Sequence, residues 1–172
     1  MIKPVGSEAL QPLFVYDPDT HHALLREAET LPSVVISSQA AANAVMLGGG
    51  YFSPLPGFMT VADAVGVAEG MRTTDGRFFP VPILCLLESV NGITGAKRIA
   101  LRDPNVEGNP VLAVMDVEAI EQVTDAQMDL MTEKVYRTLD PEHPGVQTFH
   151  GQGRFAVSGP IQVLHFSYFQ DD

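Results

Sequence analysis

The sequence predicts an α+β fold built on a mostly antiparallel, barrel-like sheet, and three observations carry that prediction. Segments of helical period cluster early, between residues 17 and 71. Short β-branched and apolar runs follow at close spacing, separated by turn residues. One amphipathic segment then interrupts the strands late, without the regular strand–helix alternation that a parallel βαβ sheet requires.

Taken in order, residues 1–16 mix apolar and turn residues around Pro4 and Pro12 and read as an extended leading segment. Asp17-Pro18 opens a helix, DPDTHHALLREAETL, with proline and acids in the first turn where they suit the helix dipole, and it stops before Pro32. SVVIS reads as a short strand. Ser38 is placed to cap the alanine-rich helix SQAAANAVML, which meets Gly48. Thr60 with Asp63 three residues on is a capping-box pattern for TVADAVGVAEGMR, and Val61, Val65, Ala68 and Met71 share one helical face. The apolar run from Val81 to Leu87 reads as a buried strand. Asn91-Gly92 marks a turn, and KRIALRD alternates as a strand should. VLAVMDVEAI is a further strand, DAQMDLMTEKVYRTL an amphipathic helix, and DPEHPGVQTFHGQG a loop of turn residues. FAVSGPIQVLHF is a strand pair or one bent strand, with Gly159-Pro160 at the bend.

Composition narrows the function classes. With 172 residues, 45% hydrophobic and 18% charged, the chain makes one ordinary domain with a proper core. A net charge of -11, from 10 Lys+Arg against 21 Asp+Glu, argues against a nucleic-acid surface, which needs clustered cations to release counterions. The densest basic group, Lys97, Arg98 and Arg102, is followed at once by Asp103. No apolar run approaches the ~18–20 residues that span a bilayer. The N-terminus lacks an apolar signal core, so no secretory signal is expected. A lone cysteine, Cys85, excludes an internal disulfide and fits a reducing, cytoplasmic setting.

The stretch MLGGGYFSPLPGFMT, residues 46–60, poses the main functional question. Gly48–Gly50 follow a helix instead of opening one, and no Lys or Arg occurs between Arg26 and Arg72, so a phosphate loop is not supported. A helix cap with Phe52, Leu55, Phe58 and Met59 packing beneath it is the expected role. His21 and His22 read as a solvated helix face. His143 lies between acids in DPEHPG, where Asp140, Glu142 and His143 offer acid–base groups, although the same residues build turns. Cys85 has no neighbouring base, Ser53 and Ser158 lie outside any nucleophile elbow, and Met128 and Met131 read as core. No catalytic, cofactor-binding or metal-binding residue is assigned.

Six segments, LPSVVISS, GGGYFSPLPGFMT, MRTTDGRFFPVPI, RIALRDPNVEGNPVLAVMDV, YRTLDPEHPGV and SGPIQVL, occur in this order. Together they resemble the N-terminal portion of the ATP sulfurylase (sulfate adenylyltransferase) family, over residues 1–167, and more the bacterial branch that lacks a kinase domain. The resemblance implies a PUA-like fold, a small mixed β-barrel with peripheral helices. It implies a parent reaction, ATP + sulfate ⇌ adenosine 5′-phosphosulfate + diphosphate, with ATP and Mg as substrate. The family's Gln-x-Arg-Asn-Pro, His-x-x-His and Gly-Arg-Asp-His segments are absent from residues 1–172, so no active-site residue carries over and this chain alone is expected to be inactive. Residues 168–172 would begin a junction to a catalytic domain, with Phe166, Tyr168 and Phe169 packing there. The expected partners are that catalytic domain and further copies of the parent, with neither nucleic acid nor membrane. The competing readings are an RNA-binding module of the same fold and a small enzyme using the Asp140–His143 loop.

Overall fold

One strand, β7 (Phe155–Val163), gathers most of the sheet around itself in the computed structural model, which describes residues 11–167. Its first half pairs with β3 (Leu86–Leu87) and β6 (Ala119–Gln122), and its second half with β5 (Val111–Asp116). The bend between the halves pairs with β2 (Gly57–Phe58), and all these pairings are antiparallel. Beyond β5 the sheet continues to β4 (Arg98–Arg102), antiparallel, and then to β1 (Ser33–Val35), parallel to β4. The seven strands form a curled half-barrel of mixed α+β class, as the α+β prediction required.

The bend falls at Gly159, whose φ of +144° is a conformation that only glycine adopts without strain. A Cβ there would lie 1.9 Å from the Asp116 carbonyl oxygen. Pro160 follows, and its missing N–H removes a donor where the ladder changes partner. The strand is therefore one bent strand and not a pair.

Among the described residues five helices surround the sheet, and their starts follow from side-chain caps. In α1 (Pro18–Ala28) the Asp17 carboxylate accepts from the Thr20 amide at 3.0 Å. In α2 (Ser38–Gly48) the cap is Ser37, not Ser38: the Ser37 hydroxyl accepts from the Ala40 amide at 3.1 Å. Ser38 lies one residue too late for that bond and donates instead to Asn105. Thr60 caps α3 (Val61–Gly70), but the reciprocal half of the expected box is missing. Asp63 turns instead to the Thr74 amide and hydroxyl, at 2.8 and 2.7 Å, while Glu121 takes the Val61 amide at 3.1 Å. The complete capping box belongs to α4 (Asp125–Tyr136), between Thr124 and Gln127.

Three expectations need correction. Residues 81–87 are buried from Ile83 onward, yet only Leu86 and Leu87 pair as a strand, because Pro80 and Pro82 remove ladder donors. The run 111–120 is two strands, β5 and β6, separated at Val117-Glu118. The DPEHPG loop ends in a helix, α5 (Pro144–Gly151), with Pro144 in its first turn.

Inside their charged ends, Arg98, Arg102 and Asp116, β4 and β5 are apolar without the alternation expected of KRIALRD, and their packing explains why. Ile99, Leu101, Ala113 and Met115 face the main core with α2, α3 and α4, whereas Ala100 and Val114 face α1 through Leu24 and Ala28. Both faces are covered, so alternation of polar and apolar residues is lost. No helix among the described residues is long and apolar enough to cross a membrane.

Candidate functional site

The glycine stretch completes α2 and anchors the leading segment. The last carbonyls of a helix have no intrahelical donor; here the Gly48 carbonyl accepts from the amides of Leu13 and Phe14, each at 3.1 Å. Gly50 has φ +81°, and a Cβ there would lie 3.0 Å from the Pro12 nitrogen. Ser53 locks the turn: its buried hydroxyl donates to the Gly50 carbonyl at 2.6 Å and accepts from the Gln11 amide at 2.7 Å. Leu55, Phe58 and Met59 are buried and Phe52 packs against the core, while Tyr51 stays 67% exposed and folds its ring over Gly49. The stretch is architectural, and of its aromatics only Tyr51 is presented outward.

The Asp140–His143 segment spends its polar groups on the start of α5. The Asp140 carboxylate accepts from the Glu142 amide at 2.9 Å, and His143 Nδ1 accepts from the Gly145 amide at 3.1 Å. The His143 ring lies against Tyr136, with centroids 5.8 Å apart. Neither acid contacts the imidazole, so no acid–base pair forms.

The other histidines are structural in ways the sequence does not announce. His21 is not solvated: it is half-buried, and its Nε2 donates to the Leu164 carbonyl at 2.6 Å, while His22 is exposed. The Thr132 hydroxyl donates to the Met128 carbonyl at 2.6 Å and therefore accepts from His150 Nε2 at 2.8 Å. His165 Nδ1 accepts from the Ser167 amide at 2.9 Å. Burial pushes the His165 pKa down, opposed by the charge of Asp103, whose side chain is fully buried.

Two residues of the basic group, Arg98 and Arg102, are neutralised, while Lys97 is exposed. Arg98 pairs with Glu27 and reaches Gln162 at 3.0 Å, with its Nε 3.2 Å from Asp116. Arg102 bonds Ser33 and the Asn109 carbonyl, both at 3.1 Å, with Glu29 3.9 Å away. Cys85 is fully buried and its thiol is pushed up to about 12 by desolvation, so no thiolate is at hand. Phe166 stacks on Phe14 at 4.4 Å within the domain and is half-buried. Tyr168 and Phe169 lie outside the described residues.

A cleft of about 280 Å³ opens between α2, α4, α5 and residues 81–86. Its polar groups are the carboxamides of Gln39, Asn43 and Gln152 and the phenol of Tyr136, whose pKa is raised by burial. None of these is an acid, base or nucleophile near neutral pH. The cleft can bind but is not equipped to catalyse. Its residues come from four separate segments, so no local motif could have disclosed it. Among the described residues no group of three or more His, Cys, Asp or Glu side chains is placed to hold a metal ion.

Comparison with known proteins agrees with this picture. A family profile described as a PUA-like domain matches residues 2–166. The chain is 74% identical over 172 residues to a sulfate adenylyltransferase of Allochromatium vinosum, covering all of this chain and 43% of that protein. It is 67% identical over 172 residues to the sulfate adenylyltransferase of the Riftia pachyptila sulfur-oxidizing endosymbiont, covering 39% of it. The chain thus spans about two fifths of the length of these curated relatives. Among solved structures it resembles a hexameric APS kinase from Thiobacillus denitrificans, with a TM-score of 0.66 and 25% identity, over 95% of this chain and 27% of that one. The profile match and these relatives, with the curled mixed sheet in agreement, place the chain in the PUA-like domain family, in the form found in sulfate adenylyltransferases.

Proposed function

We propose that this chain serves as the N-terminal, non-catalytic domain of a sulfate adenylyltransferase, supporting a catalytic domain that interconverts ATP and sulfate with adenosine 5′-phosphosulfate and diphosphate. The observation that carries the reading is 74% identity along the full 172 residues to a protein of that name more than twice as long. The chemistry agrees. Stabilising a transferring adenylyl group takes converging cations and hydrogen-bond donors, whereas here Arg98 and Arg102 are tied to carboxylates and carbonyls. ATP with Mg would be held by the rest of the polypeptide, and the domain needs no cofactor of its own. The parent is a cytoplasmic homo-oligomer in this reading.

The test is ATP formation from adenosine 5′-phosphosulfate and diphosphate. The A. vinosum protein carrying these 172 residues in place of its own matching segment should turn over, and the 172 residues alone should not. An inactive chimera that is nevertheless folded, or turnover by the isolated chain, would overturn the reading.

A further inference from the structure

We infer that the face formed by the C-terminal ends of α3 and α4 and the hairpin between Met71 and Val81 is the surface against which the remainder of the parent polypeptide docks. The inference rests on the proposed function. It begins with backbone conformation. Both helices end in a non-glycine residue in the left-handed region, Met71 at φ +56° and Arg137 at φ +61°. Glycine is the residue that adopts this cap without strain. Two neighbouring helix ends forgo it, and both residues line one cleft of about 240 Å³, together with Val81, Lys134 and one acid, Glu69. Strain kept at two adjacent positions points to what the side chains do there.

The chemistry of the face is that of an unpartnered interface. Met71, Phe78 and Val81 are 46%, 43% and 41% exposed on one short hairpin, which is held by the Arg72–Phe78 bridge and by the Phe79 amide donating to the Met71 carbonyl at 2.8 Å. Lys134 and Arg137 are exposed and, among the described residues, take part in no ion pair, although the chain carries a net charge of -11. Methionine, aromatic residues and arginine are the types that protein interfaces favour. The cleft also adjoins the carboxamide-lined one, with Val81 and Val135 lining both. A partner that fits presents apolar side chains with a carboxylate facing Arg137 and Lys134. The relatives supply a candidate within the same polypeptide: 57–61% of their length lies beyond the matched segment, given coverages of 43% and 39%.

Amide hydrogen exchange tests this in the 172-residue chain and in the A. vinosum chimera. Peptides covering residues 72–79 and 134–139 should exchange at least about tenfold more slowly in the chimera. Met71→Ser with Phe78→Ser, or Arg137→Glu, should abolish that difference while leaving the melting temperature of the 172-residue chain within a few degrees. Equal exchange in both proteins overturns the proposal, and that comparison requires no variant to fold. Protection in the 172-residue chain that rises with concentration, together with a dimer mass by ultracentrifugation, assigns the face to a second copy and also overturns it. A protected hairpin in an inactive chimera sinks the functional reading and leaves the docking face standing.

Discussion

Gly57 lies opposite Pro160 in the β2–β7 pairing and so close to Gly159 that a Cβ on Gly57 would lie 2.0 Å from the Gly159 carbonyl oxygen. Neither position has room for another residue. Gly159→Ala is expected to cost about 3 kcal/mol or more, since it adds a backbone collision to a forbidden φ. Gly70→Ala is the control: nothing lies within 4 Å of its added Cβ, so its effect should stay within about 1 kcal/mol. Urea denaturation midpoints measure both.

Thr132 is fully buried and joins α4 to α5 through His150. Thr132→Val keeps the shape but strands the imidazole Nε2, and should lose about 1–3 kcal/mol. Thr132→Ser keeps the hydroxyl and should lose less. A Val variant as stable as the parent would show that α5 is held without this bond.

Arg98 ties α1 to the sheet through Glu27 and Gln162, yet its side chain remains 30% exposed and Glu27 39%. Solvent screening limits such a pair, so Arg98→Met should cost about 1 kcal/mol or less, with the difference shrinking in high salt. Thermal melts at two salt concentrations decide it.

His165 sets a pH dependence whose sign follows from its depressed pKa. The unfolded chain takes up a proton near pH 6.5 while the folded one does not, so stability is full above that value and falls as the pH drops below it. Asp17 and Asp75 have lowered pKa values and act in a separate window, losing their contribution only below about pH 4. His165→Gln should flatten the melting temperature between pH 7 and pH 5. An unchanged slope would remove His165 as its source.

Cys85, with its thiol pushed up to about 12, should not react with a disulfide reagent at pH 8 in the folded protein. Labelling should appear only with denaturant, following the global unfolding transition.

Where local chemistry decided structure, the sequence was readable. Asp17-Pro18 started a helix, Arg98–Arg102 a strand, and Gly159 a bend, because each depends on its own residues. The helix α5 was hidden: Pro-Gly-Val-Gln-Thr-Phe-His-Gly is poor in helix formers, only Val146 is buried, and its cap is an imidazole nitrogen. The apolar run at 81–87 misled in the other direction, since Ile83–Cys85 are buried in the core without a ladder and only Leu86 and Leu87 pair with β7. His21, Thr132 and Asp103 owe their roles to partners far along the chain or to burial, which no spacing rule registers.

The central strand is also the last to be made. Three other strands, β2, β3 and β6, find their partner only in residues 155–163, and β5, already beside β4, finds its second neighbour there. Contacts this distant in sequence close slowly, and during synthesis they cannot close at all until that stretch has left the ribosome. In a longer polypeptide the domain would assemble while the following segment is already emerging. Its apolar strands would wait exposed through most of their own translation, which makes the nascent chain, more than the finished fold, the species that chaperones must meet.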